Sequence, residues 1–434
     1  MDAMARPRLR FTRSRPGILG RAQLGAAALA GSGAALASRL SGRGSGASIR
    51  GKVMLTVDRH ALGKLLAERR VAAVSGTNGK TTTTHLLVAA VRAGLADPRD
   101  VVTNADGANL HAGMASALAT APHATIAVLE CDERVVPTVV SVGAPEVLVL
   151  LNFSRDQLDR NHELKSLARG WREALQTAGD LGPVVVANAC DPLVVWSVDH
   201  ARRVIWVDTR DPWTQDATLC PGCGAILGRE EGKWRCPQGD LTQPDADYVL
   251  DGDEVVDPLG HRYTLELQVP GRFNLANAAC AFAAARVMGV PPETALRGMQ
   301  TVQAPSGRYA VGTFNGVQGR LLLAKNPAGW AESLPLAATD PVILAMNAAA
   351  ADGRDMSWLW DVSFEQLAGR QVICTGPRAQ DLAVRLDYAG VEHTVIPDLM
   401  EAFAAPRLKD LEGPVDVVST YTPFQKLRKL GGLA

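Results

Sequence analysis

The sequence predicts an α/β protein built around a doubly wound, mostly parallel sheet. Three observations carry that reading. Apolar runs of strand length recur between helical stretches, at Val71–Val74, Ala124–Leu129, Glu146–Leu151 and Pro183–Ala187. A strand buried on both faces reads as an unbroken apolar run. The first run passes directly into the glycine-rich turn Gly76-Thr77-Asn78-Gly79-Lys80-Thr81-Thr82, which opens a helix. Aromatic residues are few (5%) and hydrophobic residues make up 47%, the balance of a folded α/β chain.

With 434 residues the chain can build two or three full cores. Residues 1–50 hold nine Arg and one Asp, a net +8, so the neutral chain carries −8 over residues 51–434. An acidic body of this kind excludes nucleic acid as the expected partner. The segment Arg6–Arg21 is basic, and Ala22–Leu40 is rich in Ala, Gly and Leu, ending near Ala35-Leu36-Ala37. It imitates a signal peptide. Gly25, Gly31, Ser32 and Gly33 make it too polar for a membrane span. The expectation is an N-terminal arm or helix over residues 1–50, on a cytoplasmic protein, resting on an anionic membrane face. Ser41-Gly42-Arg43-Gly44-Ser45 reads as the joint to the body.

The glycine-rich turn is the centre of the chemistry. Two glycines let backbone N–H groups close on a polyphosphate, and the helix N-terminus adds its positive end. Lys80 would reach the outer phosphates, and the Thr81 hydroxyl would hold Mg²⁺. Val74 stands where the first glycine of the eight-residue Walker pattern belongs. The expected ligand is ATP, cradled by Gly76, Thr77, Asn78, Gly79, Lys80, Thr81 and Thr82.

A helix follows over residues 81–94, then a strand at Val101–Asn104 and a helix near 110–119. The strand Ala124–Glu130 ends in Glu130-Cys131-Asp132-Glu133. Acidic groups at the carboxyl end of a strand, beside a phosphate loop, suit Mg²⁺; the alternative is a solvated acidic strand end. Glu130 is the candidate ligand. Further strands are expected at 146–152, 183–188 and 203–207, with a helix near 163–177.

The pattern then breaks. Cys220-Pro-Gly-Cys223 and, after twelve intervening residues, Cys236-Pro-Gln-Gly239-Asp240 predict a zinc-ribbon-like insert over about 215–242. Gly239 occupies the place of a fourth Cys. Either Asp240 or a distant His completes the shell of Cys220, Cys223 and Cys236, or the ribbon folds without Zn²⁺. Seven Cys in a long chain with an ATP site argue against a disulfide framework.

Gly271-Arg272-Phe273-Asn274-Leu275-Ala276-Asn277 opens an Ala-rich helix to about 288. Asn274 and Asn277 share one side, as caps or as readers of a base. A second helix spans 292–300. Residues 304–310, with Gly307-Arg308, lead into a C-terminal α/β domain. Its strands are expected at 320–323, 341–345, 371–374 and 415–418, and its helices near 327–335, 378–388 and 421–431. The domains expected are therefore 1–50, 51–305 and 306–434.

Taken in order, Gly76–Thr82, Glu130, Asn152…Asp156-x-Leu158-Asp159, Asn188…Asp191-Pro192, Gly271…Asn274…Asn277 and Gly307-Arg308 resemble the Mur ligases. Lys325-Asn326-Pro327, Ala351-Asp352-Gly353-Arg354-Asp355-x-Ser357-Trp358, Gly376-x-Arg378-Ala379 and Thr420-Tyr421-Thr422 resemble the MurT subfamily, as do the Cys-rich insert and Gln157. The resemblance implies a Mur-type ATP-binding central domain and a smaller C-terminal domain. It implies amidation of the D-glutamate α-carboxyl in the lipid II stem peptide through an acyl phosphate. Ammonia would come from glutamine, through a GatD-type glutamine amidotransferase subunit. Asp191, Asn274, Asn277 and Arg308 would then lie in the nucleotide site. The C-terminal domain would lend the partner a catalytic Asp: Asp355 first, Asp352 next, with turn caps as the alternative role. Lys80 would serve catalysis. Cys374 reads as a buried strand residue, not a glutaminase nucleophile. The rival functions are a folylpolyglutamate-type ligase using an amino acid, and a non-catalytic ATP-binding scaffold.

Overall fold

In the structure, a computed structural model, residues 17–40, 47–104, 108–154, 164–211, 216–303, 309–349, 351–408, 411 and 413–433 are described. Two sheets organise them. The strands of the first are β1 (Arg70–Ser75), β2 (Val101–Thr103), β3 (Ile126–Glu130), β4 (Val147–Leu150), β5 (Val184–Asn188) and β6 (Arg203–Asp208). After the small ribbon β7 (Gly228–Glu230) and β8 (Lys233–Arg235), β9 (Tyr248–Asp251), β10 (Glu254–Val256) and β11 (Arg262–Thr264) complete it. The order is β11-β10-β9-β6-β5-β4-β1-β3-β2.

From β9 to β2 all neighbours run parallel, as expected. The sheet as a whole is mixed, because β9, β10 and β11 form an antiparallel meander at one edge. These strands are short and half exposed, so they carry no continuous apolar run. The Cys-rich segment loops out between β6 and β9, which pair directly with each other.

Alternation along β1 divides the core. Val71 and Ala73 pack with Leu62, Leu66, Met114, Leu118 and Trp171 on one face. Ala72 and Val74 pack with Leu86, Leu87 and the helix Arg272–Val287 on the other. Both faces are dry, which is why polar residues are missing from the run; each buried Val or Leu contributes roughly 1.5–3 kcal/mol. Ala278, Ala279, Ala281, Ala283, Ala284 and Ala285 of Arg272–Val287 are fully buried and let the helix sit close to the sheet.

The second sheet holds β12 (Tyr309–Phe314), β13 (Val317–Leu323), β14 (Val342–Ala345), β15 (Val372–Thr375), β16 (His393–Val395) and β17 (Val415–Ser419), in the order β12-β13-β17-β14-β15-β16. Only β12 runs antiparallel to its neighbour. Asp416 is completely buried in β17 and is matched by Arg320 and by the N–H groups of Ala338 and Thr339.

At the N-terminus, the helix Ile18–Leu40 lies on the helix Ala47–Val57. That second helix in turn lies on His111–Thr120. Among the described residues no helix is long and apolar enough to cross a membrane.

The helix Lys80–Ala93 is gripped from behind by Pro292–Met299. A Cβ on Gly298 would stand 2.4 Å from the carbonyl oxygen of Ala89 and 2.9 Å from Ala90 Cα. Backbone would have to move. Gly298→Ala is therefore expected to cost about 1–3 kcal/mol, read as a lower denaturant midpoint. An unchanged midpoint would show that the two helices are not in backbone contact.

Candidate active site

β1 delivers the chain to Gly76, and the helix begins at Lys80. Gly76 has φ +142° and Gly79 φ +85°, both in the region that favours glycine. Space makes the same demand: a Cβ on Gly79 would lie 2.2 Å from Asn277 Oδ1, and one on Gly76 2.8 Å from Leu151 Cβ. The loop is fastened from β4. Thr77 N–H donates to Asn152 O (2.9 Å), Asn78 N–H to Asn152 Oδ1 (2.9 Å), and Asn152 Nδ2 returns a bond to Asn78 O (3.1 Å). Ser154 N–H donates to Thr77 Oγ1 (3.1 Å).

The N-terminus of Lys80–Ala93 is left differently. Its N-cap residue, Gly79, has no side chain to cap it, and Thr83 N–H is the donor to Gly79 O. The first N–H groups of a helix have no partner within it, so this end suits an anion. Lys80 is folded back over the loop. Its ammonium donates to the carbonyls of Gly76 and Thr77 and lies 3.4 Å from both Glu133 carboxylate oxygens.

Glu130 ends β3, in register with Val74 of β1. It is 2% exposed. Asn109 Nδ2 donates to Oε1 (3.2 Å), while Oε2 is buried without a hydrogen-bond partner. Asn104 clamps the same residue's backbone, accepting from its N–H and donating to its carbonyl. A buried carboxylate oxygen left unmatched is costly unless a cation completes it, so Glu130 fits a Mg²⁺ ligand. Thr81 stands at the adjoining helix start.

The other expected nucleotide residues take clear positions. Asn274 and Asn277 are buried on one side of Arg272–Val287; Asn274 Nδ2 donates to Pro270 O, and Asn277 abuts Gly79. Asp191 caps the helix Pro192–Ser197 through Oδ1 and accepts from Phe153 N–H through Oδ2 (2.6 Å). Burial pushes its carboxyl up to about 6 against those three bonds. Its first task is to tie the end of β5 to the end of β4. Arg308, and the Asp156–Asp159 segment with Gln157, lie outside the described residues.

The C-terminal sheet reaches this loop through Asn326. Its side chain caps Pro327–Ser333 and pairs with that of Asn78, at 3.2 Å from Nδ2 to Oδ1. Beyond β14, Asp352 and Asp355 separate by exposure. Asp355 is exposed, and Ser357 N–H (2.8 Å) holds its carboxyl below the usual range. Asp352 is buried; Thr422 N–H donates to Oδ1 (2.6 Å), and Oδ2 has no hydrogen-bond partner. Burial pushes the Cys374 thiol up to about 12, so it stays protonated.

In the insert, ligand atoms of Cys220, Cys223, Cys236 and Asp240 lie within 4.8 Å of one another. Gly239, at φ +80°, turns the chain so that Asp240 stands where a fourth thiolate would. Three thiols and a carboxylate around one point fit a tetrahedral metal.

Sequence reasoning missed Asn104, Asn109 and Glu133 as participants. The acidic strand end was visible, but its convergence with β2 and the phosphate loop was not.

Comparison with known proteins agrees with this geometry. The Mur ligase middle domain matches residues 74–285, and the MurT ligase C-terminal domain matches 323–424. The lipid II isoglutaminyl synthase (glutamine-hydrolyzing) subunit MurT of Staphylococcus aureus (strain N315) is 30% identical over 414 residues, covering 89% of this chain and 92% of that protein. Its counterpart in Streptococcus pneumoniae (strain ATCC BAA-255 / R6) is 28% identical over 423 residues, covering 90% and 93%. The pseudomurein peptide ligase type C of Methanothermus fervidus has the same fold, with a TM-score of 0.64 at 17% identity over 85% of this chain and 80% of its own.

Asn152→Ala removes the two side-chain bonds to Asn78 that fasten the loop, leaves the backbone bond from Thr77 N–H in place, and does not touch a bound phosphate. It should weaken ATP binding by calorimetry by about 1–3 kcal/mol. Affinity equal to wild type would mean the loop holds its shape unaided.

Proposed function

We propose that this chain, which belongs to the MurT subfamily of the Mur ligases, is the synthetase subunit of a glutamine-hydrolysing lipid II isoglutaminyl synthase. Family membership makes it an ATP-dependent ligase forming amide or peptide bonds. The finer reading names the acceptor as the D-glutamate α-carboxyl of the lipid II stem peptide, and the nucleophile as ammonia. The single observation that carries it is the match of residues 323–424 to the MurT C-terminal domain, in a chain that also keeps the uncapped helix, Lys80 and the unmatched Glu130 oxygen.

A carboxylate does not react with ammonia in water; it must first be activated. ATP phosphorylates it, ammonia attacks the acyl phosphate, and phosphate leaves. Negative charge spreads over the transferring phosphoryl group, so positioned cations and N–H groups do most of the work. Lys80 would exchange its carbonyl partners on Gly76 and Thr77 for the phosphates. Glu133 keeps a negative charge beside the ammonium until then. Mg²⁺, held by Thr81 and Glu130, would neutralise phosphate charge. Asn274, Asn277, Asp191 and Arg308 would line the nucleotide.

Ammonia must arrive unprotonated, which favours delivery from a GatD-type glutaminase subunit. Cys374 is buried and protonated, which supports assigning glutamine hydrolysis to that partner. Asp355 would complete the partner's Cys–His pair. An anion reachable from outside suits that task, and Asp355 is both exposed and held ionised. Asp352, buried with one oxygen unmatched, is the second candidate. Cys220, Cys223, Cys236 and Asp240 would hold a structural Zn²⁺.

Lys80→Ala should abolish ATP-dependent amidation while the complex with the glutaminase still co-purifies; normal turnover would remove the phosphate role. Asp355→Asn should slow glutamine hydrolysis in the reconstituted complex strongly, by up to about 10⁴-fold, as for the loss of an Asp that orients a catalytic His. An unchanged rate with a slowed Asp352→Asn enzyme would transfer the role. Metal analysis of the purified chain should find zinc, lost with Cys236→Ser and lowered with Asp240→Ala. A metal-free wild-type protein would refute the zinc assignment.

A further inference from the structure

The helix Ile18–Leu40 has two apolar sides, and only one of them is used. Ala27, Ala35 and Ser38 are buried toward Ala47–Val57. A Cβ on Gly31 would stand 2.7 Å from Arg50 O, so the two helices touch at their backbones. Arg21 is paired with Glu68 at 3.1 Å and Lys64 Nζ donates to Gln23 Oε1 at 3.1 Å, which fixes the start of the helix to the body.

Among the described residues nothing covers the outer side. Ile18, Leu19, Leu29 and Leu36 are 89%, 87%, 77% and 59% exposed. Ile18, Leu29 and Leu36 are 11 and seven residues apart, close to whole numbers of turns, so they form one stripe. Gly25 falls on that stripe and Gly33 beside it; a Cβ on either would meet nothing within 4 Å. Isolated exposed leucines are ordinary, but an aligned stripe on a ~35 Å helix marks a contact surface.

Charge says what the contact is. Residues 3–57 contain ten Arg or Lys and no Asp or Glu, whereas residues 58–434 carry a net −9. Five of the arginines fall between Arg6 and Arg15, directly before the helix. A second copy would bring the same positive charge to the contact and be repelled. A surface of anionic phosphates attracts it and solvates the apolar stripe at the same time. Spanning the bilayer is excluded for this arrangement, because the inner side of the helix is packed on protein.

We propose that the outer face of Ile18–Leu40 docks on an anionic phospholipid surface, with Ile18, Leu29 and Leu36 entering the headgroup boundary. The acidic body then faces away from the membrane. The assignment goes beyond the proposed reaction and does not depend on it.

Flotation of the full-length chain with vesicles tests it. The chain should float with phosphatidylglycerol-containing vesicles, much less with phosphatidylcholine alone, and less at high salt. Leu29→Glu/Leu36→Glu should reduce flotation about tenfold, and Leu29→Ser/Leu36→Ser should reduce it in the same direction. Both changes are outward and should leave circular dichroism and turnover on a soluble stem peptide unchanged. Absence of wild-type flotation, or equal flotation of the variants, would overturn the proposal. A wild-type dimer that Leu29→Glu/Leu36→Glu converts to monomer, without vesicle binding, would give the face to a second copy. Loss of amidation in wild type and variants alike would count against the proposed reaction and leave the vesicle result standing.

Discussion

Asn152 closes the phosphate loop from outside, and that arrangement sets the terms for the rest of the site. Its backbone carbonyl and side chain satisfy the N–H groups of Thr77 and Asn78, and its amide nitrogen returns a bond to Asn78 O. The first half of the loop therefore needs nothing from a ligand. The second half, the start of Lys80–Ala93, begins at Gly79, which has no side chain to cap it. An anion met there finds donors already aimed and loses little to reorganisation. Gly79 is required twice over, by its left-handed backbone and by the amide of Asn277 against it.

Charge is arranged around that open end. Lys80 rests on carbonyls and beside Glu133, and Glu130 lies buried with one oxygen unmatched. Each is a group held at a cost that phosphate and a divalent cation would relieve. The second sheet joins the site at one small contact, Asn326 on Asn78, through residues that also begin a helix. Binding at the loop and the position of the C-terminal sheet are thereby mechanically adjacent.

Much of this was legible in the sequence, for a physical reason. Strands buried on both faces are mostly apolar, so β1, β3, β4, β5, β14, β15 and β17 announce themselves, and the buried Asp416 within β17 is matched by Arg320. The meander β9–β11 and the edge strand β16 are half solvated, with residues such as Arg262 and Thr394 pointing outward, and their pattern dissolves into that of loops. Chemistry carried by one short segment was equally visible: Gly76–Thr82. Chemistry shared across the sheet was not. Asn104, Asn109 and Glu133 become neighbours of Glu130 and Lys80 only when β2, β3 and β1 are side by side. Asp240 was one of several candidates for the fourth ligand until the left-handed turn at Gly239 brought it beside three thiols.

The central claim is that this site activates a carboxylate for ammonia and not for an amino acid. The direct measurement is mass analysis of lipid II after incubation with the purified chain, Mg-ATP and ¹⁵N-ammonium, without and with competing amino acids. The account predicts replacement of one OH by ¹⁵N-labelled NH₂ on the D-glutamate carboxyl, dependent on ATP and unaffected by amino acids. A product extended by an amino-acid residue, or ATP turnover that leaves lipid II unlabelled, would contradict it.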